Sequence, residues 1–355
     1  MMVGPTKIPR RVLDAMNKQA ISHRSEEYRQ VQERVTSNMK KIFGTNNQVL
    51  VLTSSGTGAM ESVIQNCFSP NDEVVVPVVG NFSRLYAEIA EIYGLNVKRI
   101  NFENGETADI EKVMANVNKN TKGVLLVHNE SSTGVFNDVK GFGKALKNTN
   151  AILIVDSVSG AGGLEMRMDK WNVDVVLTSS QKALMSPPGL AFVSLSEKAW
   201  ERVKYSAYPK YYFDFKRASE FNKKNETLTT PSTHVLFAVD EALKMILEEG
   251  LDNVYQRHID NTRLLIEGVK RLGYRLLAKD ERFASPSLTA IRAPGYANYM
   301  VKELKERNVI VNPGIGELKN DVFRVGVMGY VSKDDILIFL SALEEIEMPN
   351  FVESS

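Results

Sequence analysis

The chain has 355 residues, more than one typical domain and enough for two with ample cores. Its formal net charge of +1 leaves no bulk field to hold a polyanion, so nucleic acid is not an expected partner. A single cysteine, Cys67, excludes an intramolecular disulfide framework and a zinc–cysteine cluster, and it fits a reducing compartment.

The opening MMVGPTKIPRRVLDAM lacks the apolar stretch of a signal peptide, and no run reaches the ~18 apolar residues of a membrane span. A soluble, cytoplasmic protein without membrane contact is expected. Gly4-Pro-Thr-Lys-Ile-Pro9 predicts an extended arm, because two prolines disfavour helix there. Arg11 to Gln19 fits a short helix. After Ser22-His-Arg-Ser25, the positions of Val31, Val35, Met39 and Ile42 give Tyr28 to Phe43 helical spacing. From chemistry alone His23 reads as an ordinary surface or partly buried histidine.

Gln48 to Leu52 predicts a strand, and Thr53-Ser-Ser-Gly-Thr-Gly-Ala59 a turn into a helix starting near Met60. A glycine-rich strand-to-helix turn offers backbone N–H groups and the positive end of a helix dipole to an anion. Ser55, Thr57, Gly58 and Ala59 are the candidates for holding a phosphate. A dinucleotide fingerprint fits less well, since Glu61 stands where its third glycine belongs. Cys67 fits the buried end of the same helix.

Glu73 to Val79 is the next expected strand, with Gly80-Asn-Phe-Ser-Arg84 opening a helix. Asn96 to Asn101 follows as a strand and Ala108 to Val117 as a helix. Gly123 to Val127 is a buried strand that runs into His128-Asn-Glu-Ser-Ser-Thr-Gly134. His128 and Glu130 have the chemistry of an acid–base pair, but no nucleophile stands beside them, so both are read as structural. Phe142 to Leu146 predicts a helix.

The apolar run Ala151 to Val155 ends on Asp156, followed by the turn Gly160-Ala-Gly-Gly163. A second run, Val173 to Leu177, delivers Ser179-Ser-Gln-Lys182, then Pro187-Pro-Gly189. Two buried strands thus leave an acid and a lysine at their carboxyl ends, the edge where open α/β sheets bind ligands. An amine for a Schiff base and an anion against a pyridine nitrogen are what pyridoxal phosphate requires. Strand–helix alternation and continuous apolar strands predict a mostly parallel sheet covered on both faces.

Beyond Ser194 an aromatic, proline-interrupted stretch, Tyr205 to Phe215, precedes Glu226-Thr-Leu-Thr-Thr-Pro-Ser232 and a helix from Val235 to Leu247. Gly250 ends it. A long amphipathic helix from Val254 to Leu272 follows. Strands at Tyr274 to Leu277, Leu288 to Arg292, Val309 to Val311 and Val322 to Val327, with helices at Asn298 to Arg307 and Ser332 to Ile346, complete a smaller α/β unit. The expected organisation is an arm (1–20), a large domain (21–250) and a small C-terminal domain (251–355).

The segments VDSVSGAGG, SSQKALMSPPG and HNESSTG resemble those of class V aminotransferases, the alanine–glyoxylate/serine–pyruvate group of fold-type I pyridoxal-phosphate enzymes. The resemblance extends from Gly4-Pro5 to Phe323-Arg-Val-Gly326. It implies that Lys182 carries the cofactor as a Schiff base, that Asp156 pairs with the pyridinium, and that Gln181 lies beside it. It also implies that Phe82 stacks on the ring, where many relatives carry tryptophan, and that Ser131 touches the cofactor. Thr230 would reach the phosphate of a neighbouring subunit, and Arg324 would bind the substrate carboxylate. A tyrosine expected three residues before Thr230 is Thr227 here. Arms like residues 1–20 cross onto the partner in that family, so a homodimer is implied.

The activity so implied is ping-pong amino transfer, from a small donor such as alanine or serine to glyoxylate or pyruvate, with no metal. No second arginine has a flank marking a dicarboxylate site. The alternatives are another donor, such as 2-aminoethylphosphonate or aspartate, a pyridoxal-phosphate lyase or desulfurase, a nicotinamide dehydrogenase, and a catalytically silent relative.

Overall fold

The computed structural model describes residues 1–347; the last eight residues of the expected C-terminal domain lie outside it. Among the described residues thirteen strands form three sheets. In chain order they are β1 (Val49–Ser54), β2 (Glu73–Val78), β3 (Asn96–Asn101), β4 (Thr121–Val127), β5 (Asn129–Glu130), β6 (Val135–Phe136), β7 (Ile152–Asp156), β8 (Val175–Ser179), β9 (Gly189–Leu195), β10 (Arg275–Leu276), β11 (Leu288–Arg292), β12 (Asn312–Pro313) and β13 (Val322–Gly326). The large sheet has the order β1-β9-β8-β7-β4-β2-β3. Its β8-β7-β4-β2-β3 pairs are parallel, and β9 runs against both neighbours.

The continuous apolar strands are explained by two cores. Val124, Leu126, Leu153 and Val155 point into one, with the helices Glu26–Phe43, Val139–Leu146 and Thr233–Glu249. Leu125, Ile152 and Ile154 point into the other, beneath Gly56–Cys67, Asn81–Ile92 and Glu197–Tyr205. Cys67 is fully buried there. A third core joins the four-stranded sheet β10-β11-β13-β12 to the helices Ala297–Glu306 and Lys333–Glu344. The helix Leu251–Arg271 spans two of these cores, with Val254 in the first and Leu265 and Val269 in the third.

The helix expected at Arg11 to Gln19 is Arg10–Ala15, and three further expected elements differ. The helix expected at Ala108 to Val117 shrinks to Ile110–Met114, because Ala108 N–H is taken by Asn137 Oδ1 and the end tightens into turns. The strand expected at Val309 to Val311 is replaced by Asn312–Pro313. Val309 N–H closes the preceding helix on Leu304 O, after the left-handed Asn308, so the run buries Val309 and Val311 and exposes Ile310 without strand pairing. The helix expected near Met60 begins at Gly56, with Ser55 as its cap.

The N-terminal segment lies on its own chain. Gly326 N–H donates to Met1 O, Val3 N–H to Asn312 Oδ1 and Thr6 N–H to Gln181 O. The short helix Arg10–Ala15 packs Val12 on Ala238 and Ala242, and Arg11 bonds Glu241 and Glu248.

Candidate active site

Because β1, β4, β7 and β8 all end at one edge of the sheet, the residues that follow them meet there. They line a cavity of about 170 Å³ formed by Ser55, Gly56, Thr57, Phe82, Ser131, Asp156, Gln181 and Lys182, together with Met60, Val127, Asn129, Val158 and Ser159. Larger cavities of about 640, 420 and 500 Å³ lie elsewhere, and none of them contains the acid and the lysine together.

Asp156 closes β7 at 3% exposure, and one of its oxygens accepts from Val158 N–H at 2.8 Å. Burial pushes its carboxyl up to about 7, opposed by that hydrogen bond. Lys182 follows β8 on a loop tied by Met185 N–H to Lys182 O and Ser186 N–H to Ser180 O. Burial, helped by the Arg324 charge and opposed by Asp156, pulls its amine down to about 8. Its Nζ donates to Val3 O at 2.9 Å. His128, behind Asp156, sits with Nδ1 3.0 Å from Ser157 Oγ, and burial pushes it down to about 4, so it is neutral.

Arg324 on β13 does not line the cavity but adjoins it. Its Nη1 donates to Ser131 O at 2.9 Å and its Nε to Pro313 O at 3.0 Å. Burial draws the guanidinium downward and Glu130 opposes this. Gly58 and Ala59, expected in the phosphate cradle, lie outside the cavity. Their N–H groups are spent on the Ser55 side chain and on Ser55 O, the cap and first bond of the helix. Gly56, and Thr57 as expected, precede that first bond and line the cavity. Thr230 is exposed on this chain and stands apart from the cavity.

A family profile described as aminotransferase class-V matches residues 1–339. The chain belongs to the class-V aminotransferases. It is 33% identical over 354 residues to serine–glyoxylate aminotransferase of Arabidopsis thaliana, covering 97% of this chain and 88% of that one. It is 37% identical over 353 residues to the soluble hydrogenase 42 kDa subunit of Anabaena cylindrica, covering 98% and 92%. The crystal structure of alanine–glyoxylate aminotransferase from Nostoc sp. matches with a TM-score of 0.92 at 29% identity, covering 97% of this chain and 94% of that one.

This class-V aminotransferase therefore has the fold-type I architecture, and its family is pyridoxal-phosphate-dependent in general. The residues present suit such a group. Asn129 Oδ1 and Gln181 Oε1 are buried at the cavity without hydrogen-bond partners, as is Ser179 Oγ beside it. Orphaned buried acceptors are costly unless a ligand or water completes them. Sequence reasoning missed Asn129, Val158 and Ser159, although each lies inside a motif already singled out. Met60 and Val127 carried no signal beyond core hydrophobicity.

Proposed function

We propose that this aminotransferase holds pyridoxal phosphate in the 170 Å³ cavity and moves an amino group from a small amino acid, alanine or serine, to glyoxylate or pyruvate. The reading is carried by one observation: Asp156 and Lys182, from different strands, wall the same buried space. When bound, the cofactor supplies an aldehyde that condenses with amines and a ring that accepts electrons.

The protein's own groups do the rest. Lys182, drawn down to about 8, has a neutral fraction of roughly a quarter near pH 7.5, far more than an ordinary lysine, and is fit to attack the aldehyde and then to carry the proton of the donor Cα. Asp156 sets a carboxylate against the ring nitrogen, and a cation there would draw its raised value back down. Ser55, Thr57 and the amino end of the Gly56–Cys67 helix suit the phosphate, Phe82 the ring face, and Ser131 and Gln181 the ring's polar edge. Arg324 grips the donor carboxylate, then the keto acid's, in a ping-pong cycle. A small donor is favoured because Lys182 is the one cation among the described residues lining the cavity.

Ser55, Thr57 and Thr230 are exposed on the single chain, which supports a homodimer whose partner covers the phosphate end. The arm, large and small domains (1–20, 21–250, 251–355) and a cytoplasmic location belong to the same reading. Among the described residues no helix is long and apolar enough to cross a membrane.

A desulfurase needs a mobile nucleophilic thiol, whereas Cys67 is fully buried and burial pushes it up to about 12. A hydrogenase centre is held by several thiolates, and this chain has one cysteine. The test is a screen of the purified, cofactor-loaded protein for half-reactions with alanine, serine, aspartate, glutamate and 2-aminoethylphosphonate. Conversion of the bound aldehyde to its amine form by alanine or serine is expected. A strong preference for the acidic or phosphonate donors would replace the substrate reading, and no conversion by any amine would remove it.

A further inference from the structure

Glu130 is fully buried and receives five hydrogen bonds. Its Oε1 accepts from Phe82 N–H (3.2 Å), Ser132 N–H (3.2 Å) and Ser132 Oγ (2.6 Å). Its Oε2 accepts from Ser83 N–H (2.9 Å) and Ser83 Oγ (3.0 Å). Three of the partners are backbone N–H groups that can only donate, and the two hydroxyls can donate as well, an arrangement that suits an acceptor-only carboxylate. Two of them are backbone groups in the first turn of the Asn81–Ile92 helix, where a negative charge also meets the positive end of the dipole. The approach is close: a Cβ on Gly80 would stand 2.5 Å from Ser132 Oγ and 2.6 Å from Glu130 Cγ.

The two elements tied together here both reach the cavity. Phe82 enters it from the helix, and Ser131 from the turn between β5 and β6. Ser131 O in turn receives Arg324 Nη1 at 2.9 Å. One carboxylate thus connects three side chains of the site without lining the cavity itself.

We propose that Glu130 is a positioning residue that holds Phe82, Ser131 and, through Ser131 O, Arg324 in register for the cofactor ring and the donor carboxylate. This rests on the pyridoxal-phosphate reading above. A group that only supported folding would lower the melting temperature and leave ligand parameters alone. A positioning group moves the ligand parameters themselves.

The variant Glu130→Gln keeps the size but turns one acceptor into an NH₂ that faces donors, and in the Oε2 position it leaves Ser83 N–H unpaired. Three quantities are read with wild type alongside: the dissociation constant of pyridoxal phosphate from the protein, the circular dichroism of the bound cofactor in the visible band, and KM and kcat for the donor. The expected result for Glu130→Gln is a dissociation constant raised about tenfold or more, a diminished dichroic band, and a donor KM that rises by more than kcat falls. Glu130→Asp, which retains the charge one methylene shorter, is expected to recover part of each. Should Glu130→Gln fail to fold, Ser132→Ala removes one of the five bonds and is expected to move the same quantities less far. Wild-type values of all three in whichever of these variants folds overturn the proposal, whatever the melting temperature does. A wild-type protein that binds no cofactor would instead overturn the functional reading.

Discussion

Lys182 Nζ donates a 2.9 Å hydrogen bond to the carbonyl oxygen of Val3, 179 residues earlier in the chain. Thr6 fastens the same segment from the other side, with its hydroxyl on Lys182 O and its N–H on Gln181 O. The amino-terminal residues are therefore a wall behind Lys182, outside the cavity lining, linking the lysine loop to the small sheet through Met1, Val3, Asn312 and Gly326.

That wall leaves no space for a side chain at Gly4. A Cβ there would lie 2.6 Å from Lys182 Nζ, and the residue's φ of +127° disfavours any other amino acid. Gly4→Ala is expected to displace the lysine, lowering amino transfer at least tenfold and stability by ~1–3 kcal/mol. Turnover and thermal melting check this; unchanged turnover would mean that the segment moves aside freely.

Capture of pyridoxal phosphate by the cofactor-free protein requires the neutral amine of Lys182. The amine titrates near 8 and is increasingly neutral above it, so the rate of covalent capture, followed by absorbance or by reduction and mass analysis, is expected to rise with pH to a midpoint near 8. An ordinary lysine would place that midpoint at about 10.4. Lys182→Ala is expected to bind the cofactor without a covalent adduct.

Asp156 makes the cofactor-free fold sensitive to alkali. Its carboxyl titrates at about 3.9 in an unfolded chain and near 7 in the folded one. The folded state holds the proton more tightly, so this residue's stabilising contribution is full below about pH 4 and is lost as pH rises through 7. Asp156→Asn removes the titration. In melting scans without cofactor, the variant's advantage over wild type is expected to grow between pH 5 and 8, and with cofactor added wild type should regain the lead. A difference independent of pH would contradict the assignment.

Arg324→Lys retains a charge but not the planar fork that reaches Ser131 O and Pro313 O together. The KM of donor and keto acid should rise by about 10- to 100-fold, corresponding to ~1.5–3 kcal/mol for a charged hydrogen-bonded contact, with a smaller fall in kcat. Steady-state kinetics with both substrates varied decide this, and parallel double-reciprocal lines are expected for both proteins.

Thr230 gives a concentration-dependent test. If it serves the partner's phosphate, Thr230→Ala weakens cofactor binding in the dimer, and diluting wild type below its dissociation range releases cofactor in step with monomer, as sedimentation and absorbance would show together. Cofactor retained by a fully monomeric protein would rule out the shared site.

Much of the site was legible because local chemistry marked it. Asp156 ends one apolar run and Lys182 follows shortly after another, and both runs became buried parallel strands whose carboxyl ends coincide. The helix start lay a turn earlier than expected: Ser55 caps the helix ahead of the apolar periodicity, so the Gly58 and Ala59 amides are consumed inside it. Val3 gave no signal at all, since its contribution is a carbonyl group that every residue possesses.

Alternation of apolar runs and glycine turns by itself determined the layered α/β fold, the buried strands and the acid and lysine at their carboxyl edge, because burial period and turn chemistry are local properties of the chain. Only tertiary structure decided which polar groups meet: that Glu130 gathers five donors from two separate elements, that Arg324 hangs on Ser131 O, and that residue 3 faces residue 182. Those contacts depend on where the strands and the N-terminal segment lie in space, and the spacing of residues along the chain does not encode such distances.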